Sequence, residues 1–245
     1  MMNHNIDLNA DLGEGKANDE ALLKYVSSCN IACGGHAGNR SSILKTILLA
    51  QKNNVKIGAH PSYPDTKNFG RKSLDLPIDY LVESIDSQLV LFQQCIHETK
   101  AEWHHIKFHG ALYNDLKTDT SKAKALVNLI QNKYQGIKLF VPPNSAIQSI
   151  AQSQIPIKVE GFADRAYNED LSLVSRQKPN AVFKSSNDVV HQVKTMVVEN
   201  AVKTVNSKTI PIKVNTVCIH GDTPKALEML EILVSELKKH KIKIQ

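Results

Sequence analysis

Four histidines follow short apolar runs and have glycine within two residues: His36 in NIACGGHAG, His60 in KIGAHPSYPD, His109 in IKFHGALYN and His220 in VCIHGDTP. An imidazole titrates near neutrality, and a rigid strand end with a neighbouring glycine fixes it while letting backbone approach a ligand closely. Carboxylates, an amide and cations occupy matching places: Asp7, Asn9, Asp11 and Glu14 in DLNADLGEG, Lys107 in IKFH, Glu160, Asp164 and Arg165 in EGFADR, and Asp222 in HGD. Histidine beside carboxylate moves protons near pH 7, and lysine or arginine stabilises an oxyanion or phosphate. The set suits hydrolysis of an amide. Nucleophile signatures are poor, since there is no G-x-S-x-G elbow and Cys33 and Cys218 read as core residues. GEGKAND lacks the spacing of a phosphate-cradling G-x-x-x-x-G-K-[ST] loop.

The basic residues carry a second signal. Of 30 lysines and arginines only Arg40, Arg71, Arg165 and Arg176 are arginine, and all four fall in or next to the Gly/His-rich segments. A planar fork is suited to holding a carboxylate or phosphate, the alternative being ion pairs that brace loops. The net charge of +6 is spread as scattered lysines, with one dense run in ELKKHKIKIQ, so neither a nucleic-acid nor a membrane partner is expected. No stretch approaches the ~20 apolar residues of a membrane span, and MMNHNIDLNADLGEG lacks the basic and apolar regions of a signal peptide. A cytoplasmic protein with four buried free thiols, Cys29, Cys33, Cys95 and Cys218, is the expectation.

The elements that must position these groups alternate. Seven β-branched or apolar runs, near Ile6, Ile31, Ile57, Ile106, Leu139, Val159 and Val217, are separated mostly by stretches of helical period. The helical stretches include ANDEALLKYVSS with Asn18 and Asp19 as candidate caps, RSSILKTILLAQKNN, the long PIDYLVESIDSQLVLFQQCIHETK and SNDVVHQVKTMVVENA. KTVNSKTIPIKV reads as a hairpin leading into the seventh strand. One α/β barrel domain over residues 1–245 is expected, with the functional groups gathered at the C-terminal ends of its strands. Strand alternation places Asp7, Asn9 and Asp11 on one face, the barrel interior, either as part of a pocket or as a buried hydrogen-bond network.

Taken in order, IDLNADLGEG, NIACGGHAG, IGAHPSYPD with FGRK, KFHGALYN, EGFADRAY, LVSR and CIHGD closely resemble the LamB/YcsF family, the family of 5-oxoprolinase A subunits. The resemblance covers nearly the whole chain. It implies a distorted, seven-stranded (β/α) barrel, TIM-barrel-like and akin to the deacetylase barrels. It also implies ATP-dependent opening of the lactam 5-oxo-L-proline to L-glutamate together with partner subunits B and C.

The resemblance implies that the motif residues line the lactam site, and residue type with strand-end position suggests that His109 and His60 transfer protons while Asp11 and Glu160 position water or a histidine. Lys107 and Arg165 would bind the substrate carboxylate or a transferred phosphate. Asn9, Glu14, His36, Arg71, Asn114, Asp164, His220 and Asp222 would complete the binding shell. Two other readings are carried forward: a metal-dependent amide or N-acetyl hydrolase, with Asp11, His36 and His60 as ligands of a divalent ion, and a subunit that holds a ligand while its partners do the chemistry. The chain departs from the family pattern at Gly35, where an aromatic is usual, at Asn39-Arg40 in place of Asp-Pro, at Phe108 in place of proline and at Asn180 in place of glycine. The first two changes alter the loop after strand two, exchanging a carboxylate for an amide and adding a cation, and leave the substrate preference of this chain open.

Overall fold

The structure is a computed structural model that describes residues 4–221 and 225–245. Its order is β1 (His4–Leu12), α1 (Asp19–Leu22), β2 (Ser28–Ala32), α2 (Arg40–Lys52), β3 (Lys56–His60), α3 (Ile78–Thr99), β4 (Trp103–Lys107), α4 (Gly110–Asp115), α5 (Thr120–Lys133), β5 (Lys138–Val141), α6 (Ala146–Ala151), β6 (Ile157–Phe162), α7 (Ser186–Lys194), β7 (Ala201–Lys203), β8 (Thr209–Pro211), β9 (Thr216–Cys218), α8 (Ala226–Lys239) and β10 (Ile242–Ile244). Strands β1 to β6 and β9 are parallel, and β9 pairs with both β6 and β1, closing the seven-stranded barrel. The seven apolar runs are these strands, and β7 with β8 is the antiparallel hairpin before the last of them.

Local signals explain several helix boundaries. Asn39 caps α2 through Ser42 in a reciprocal capping box, Asp119 accepts from the Ser121 and Lys122 amides ahead of α5, and Lys100 ends α3 in the left-handed region at φ 52°. Elsewhere the chain departs from its periodicity. α1 is a single turn in which Asn18 donates to the Gly221 carbonyl and the Asp19 carboxylate accepts the Gly13 amide, so both tie loops rather than cap a long helix. α7 stops at Lys194 and continues as a π turn over Thr195–Glu199. The lysine-rich C-terminus forms β10, parallel to residues His4 to Ile6 of β1, with Ile242 on the core. No helix among the described residues is long and apolar enough to cross a membrane.

The barrel interior is unusually polar and is stacked in layers. At the N-terminal end, Asp7 accepts from Ser27 and Ser28 and faces Lys56 and Lys158 at 3.8 and 3.6 Å. Asp7 therefore braces the bottom of the barrel, although it shares a face with Asp11. In the middle layer, Asn9 donates to Glu160 at 2.9 Å and to Thr216 at 2.7 Å, while its carbonyl accepts from Asn30 at 2.7 Å. His105 completes this layer, bonded through Nε2 to Asn30 Oδ1 and stacked on Phe140 at 3.9 Å. Gly58 makes room for it, because a Cβ there would lie 2.2–2.4 Å from three ring atoms of His105. Gly58→Ala is accordingly expected to destabilise the protein by about 1–3 kcal/mol or more, since a ring stacked and hydrogen-bonded on both sides cannot retreat. Thermal or denaturant unfolding checks this, and an unchanged midpoint would contradict it.

Candidate active site

The top layer is built from strand ends. Lys107, the last residue of β4, projects into the barrel with its side chain 3% exposed and places Nζ 2.9 Å from Asp11 Oδ1 and 3.1 Å from Glu160 Oε1. Asn9 Oδ1 at 3.4 Å and Cys218 Sγ at 3.1 Å complete its surroundings. Burial favours a neutral amine, but the Asp11 carboxylate, Cys218 and Glu160 outweigh it and raise the Lys107 pKa well above the usual lysine value. Burial likewise works against ionised Asp11, yet the charges of His60 and Lys107 prevail and hold its carboxyl well below the usual range. An ammonium between two carboxylates thus forms the floor of the site.

Above this floor three imidazoles come together. His60 Nε2 lies 3.3 Å from Asp11 Oδ2 and 3.0 Å from His109 Nδ1. His36 stacks on His109 with ring centroids 3.6 Å apart and reaches Glu14 Oε1 at 3.1 Å. Outside this group, each ring is braced: His60 Nδ1 by the Lys107 carbonyl at 2.7 Å, His109 Nε2 by the Phe69 carbonyl at 3.0 Å, and His36 Nδ1 by Ser62 Oγ at 3.0 Å. Burial lowers the pKa of His36, against the opposing pull of Glu14, and lowers that of His109 well below the ordinary value with help from His60 and His36. The packing depends on glycine: Gly70 has φ 61°, and a Cβ on it would sit 3.0 Å from both His36 Cβ and His109 Cδ2.

These groups face a cavity of about 610 Å³ at the C-terminal ends of the strands, lined by Asp11, Glu14, His60, Lys107, His109 and His220, with Arg71, Tyr113, Asn114, Arg165 and Arg176 around them. One wall is the segment 163–185, an irregular excursion after β6 that packs Ala166, Val174 and Ala181 against Phe183. Arg165 secures this wall, donating to the Val174 carbonyl at 2.7 Å and the Ala181 carbonyl at 3.4 Å. Burial, together with neighbouring Arg176, lowers its pKa to about 10.

Several expected site residues take other places. Asn9 and Glu160 are fully buried one layer beneath the cavity, so Glu160 meets Lys107 rather than a bound ligand. Strand alternation leaves room for one residue per layer, and at this level of β6 the cavity is lined by Phe162. Asp164, also fully buried, faces His220 Nδ1 at 2.9 Å and orients that imidazole. Arg165 lines the cavity and gives two of its donors to backbone carbonyls of the wall. His36 stands behind His109, and Asn114 is exposed at the rim. Asp222 lies outside the described residues. Glu14, rather than Asp11, converges with the histidines: ligand atoms of Glu14, His36, His60 and His109 all lie within 4.8 Å of one another.

The changes after strand two fall outside the cavity. Asn39 caps α2, Arg40 pairs with Glu98 at the surface, and Gly35 packs where a Cβ would be 2.4 Å from Gln88 Oε1 and Ser62 Oγ. Asn180 has φ 59°, the left-handed conformation in which glycine is most at ease and asparagine next. Tyr113, Ser62 and Lys117 escaped sequence reading. Tyr113, whose hydroxyl is buried close to Glu160, lies four residues after His109 and so returns to the same side of the chain, a spacing that the motif KFHGALYN contains.

The sequence matches the LamB/YcsF family over residues 6–245. The chain belongs to the LamB/YcsF family. Among its relatives is the 5-oxoprolinase A subunit of Haemophilus influenzae (strain PittEE), 38% identical over 240 residues that cover 98% of each chain. The structure of the lactam utilization protein from Thermus thermophilus superposes with a TM-score of 0.92 at 28% identity, covering 98% of this chain and 99% of that one. A family 4 carbohydrate esterase from Streptomyces lividans shares the fold at a TM-score of 0.54 and 10% identity, covering 100% and 93%. The likeness to the esterase is one of fold, a parallel barrel ringed by helices.

Proposed function

We propose that this chain is the A subunit of an ATP-dependent 5-oxoprolinase that opens 5-oxo-L-proline to L-glutamate, working with subunits B and C. The observation that carries the reading is the continuous path from His109 through His60 and Asp11 to Lys107, at 3.0, 3.3 and 2.9 Å, along one cavity. That path joins a proton-transfer pair to a buried positive charge. The names of the relatives agree with a lactam as the bound amide.

A five-membered lactam is an unactivated amide. Transfer of the terminal phosphoryl group of ATP to the lactam oxygen leaves ADP and a ring carbon open to water. Addition of water, departure of inorganic phosphate and cleavage of the C–N bond then yield glutamate. Within the cavity, the His60 and His109 imidazoles take the proton from the attacking water and return one to the departing ring nitrogen. Asp11 holds His60 in place, and the Lys107 ammonium stabilises negative charge that develops on oxygen. Arg71 and Arg176 on the wall give the substrate carboxylate a cationic rim. Glu160 acts through Lys107 and Asp164 through His220, both as positioning residues.

The test is ATP-dependent glutamate release from 5-oxoproline by this chain alone, by the cognate B and C subunits without it, and by all three together. Release only by the complete mixture is the expected result. Absence of release from every mixture would overturn the reading.

A further inference from the structure

The hydrogen bonds around the three imidazoles specify where their protons are. A main-chain carbonyl only accepts, so the His60 nitrogen facing the Lys107 carbonyl at 2.7 Å is the protonated one, and so is the His109 nitrogen facing the Phe69 carbonyl at 3.0 Å. Ser62 Oγ gives its own hydrogen to the Tyr63 carbonyl at 2.8 Å and therefore accepts from His36 Nδ1. In neutral rings the remaining nitrogens, His60 Nε2, His109 Nδ1 and His36 Nε2, carry lone pairs. With a Glu14 oxygen, ligand atoms of the three rings lie within 4.8 Å of one another, and a modest turn of the stacked His36 and His109 rings would bring both to one ion. His60 Nε2 meets His109 Nδ1 at 3.0 Å, and His36 Nε2 meets the Glu14 carboxylate at 3.1 Å, acceptor against acceptor in both cases. Such contacts repel unless a cation lies among them.

We infer that Glu14, His36, His60 and His109 form a binding site for one divalent transition-metal ion of the zinc class. Three imidazole nitrogens and one carboxylate oxygen are the donor set that such an ion selects over magnesium or calcium, which prefer oxygen throughout. Spacing agrees: metal–ligand bonds of roughly 2.0–2.1 Å in a tetrahedron separate neighbouring donors by roughly 3.3 Å. Three of the six donor pairs, at 3.0, 3.1 and 3.6 Å, the last between His109 Nδ1 and Glu14 Oε1, bracket that value, and the others lie within 4.8 Å. The outward braces, Lys107 O, Phe69 O and Ser62 Oγ, are the supporting contacts that orient ligating histidines and fix their tautomers. Asp11 remains beside the set, its Oδ1 engaged by Lys107 and Asn30 at 2.9 and 2.8 Å. The site rests on donor geometry and needs no lactam, but an ion there takes the same His60 and His109 lone pairs that accept a proton in the reading above, so at these nitrogens the two roles exclude each other.

The chain stripped with a chelator and desalted, without substrate, nucleotide or partner, is titrated with Zn2+ by calorimetry and with Co2+ by visible absorption. The expected result is one equivalent bound, with the d–d bands of low-coordinate cobalt and no sulfur-to-cobalt charge-transfer band, because the four cysteines are buried elsewhere. Glu14→Gln and His36→Ala should each lose this equivalent, Ser62→Ala should weaken it by about 10–100-fold, and the exposed control His191→Ala should keep it. A folded wild-type chain that takes up no stoichiometric ion overturns the inference whether or not the variants fold, and would mean that protons alone bridge the imidazoles. Uptake retained in both Glu14→Gln and His36→Ala overturns it as well, by placing the ion elsewhere.

Discussion

Lys107→Met is expected to destabilise the protein by about 3–5 kcal/mol and to abolish ring opening by the assembled enzyme. Removing one partner of a buried charge cluster leaves the others uncompensated, and here two carboxylates, Asp11 and Glu160, would face each other in the barrel without the ammonium that lies 2.9 and 3.1 Å from them. Methionine matches the length of the lysine stem, so the loss reports charge rather than a cavity. The pH dependence separates this account from simple packing. Asp11 titrates well below its usual range in the folded state, so its contribution is present above the unfolded value of about 3.9 and is lost as the pH falls through the folded one. Lys107 titrates well above its usual range, so its contribution is complete below about 10.4 and is lost as the pH rises through the folded value. Denaturant unfolding across pH should show the wild-type protein losing stability at both extremes and the variant losing both components together. Equal stability of the two proteins at pH 7 would contradict the assignment of Lys107 as the keystone of the floor.

His109→Ala is expected to lower turnover of the complete enzyme by about 10²–10⁴-fold, the range that a positioned acid or base contributes, while the barrel still folds. The ring lies between the other two imidazoles, 3.0 Å from His60 Nε2 and stacked on His36 at 3.6 Å. It belongs to the loop after β4 rather than to a strand, so its removal leaves the strand ladder untouched. Circular dichroism and gel filtration of the isolated chain check folding, and glutamate release checks turnover. Wild-type turnover would remove His109 from the proton path and favour a subunit that holds a ligand for its partners.

Much of this architecture is legible in the order of residues. Seven apolar runs separated by helical periods specify parallel strands, because each run is too short to be a helix and each intervening stretch is long enough to cross back. The glycines beside His36 and His109 mark strand ends, Gly34 and Gly110 both taking positive φ, whereas Gly58 before His60 lies inside β3 and makes room for His105. Which residues share the strand-end chemistry is thus a property of one-dimensional pattern.

Depth within the barrel is not. Asp7, Asn9 and Asp11 share a face by alternation, yet they occupy three layers: one braces the bottom, one fills the middle and one reaches the cavity. The layer is decided by the register between strands, such as Asp11 opposite Asn30 and Glu160 opposite Thr216, and register depends on partners far away in the chain. The same holds for Arg165, whose donors go to carbonyls nine and sixteen residues on only because the segment 163–185 folds back over it. The sequence by itself determined the barrel, its family and the chemical types gathered at its mouth, since periodicity and motif are local. Only the tertiary structure decided that Lys107 is locked between two carboxylates and that Glu14 lies within 4.8 Å of all three histidines, because these depend on distances between strands that no local pattern encodes.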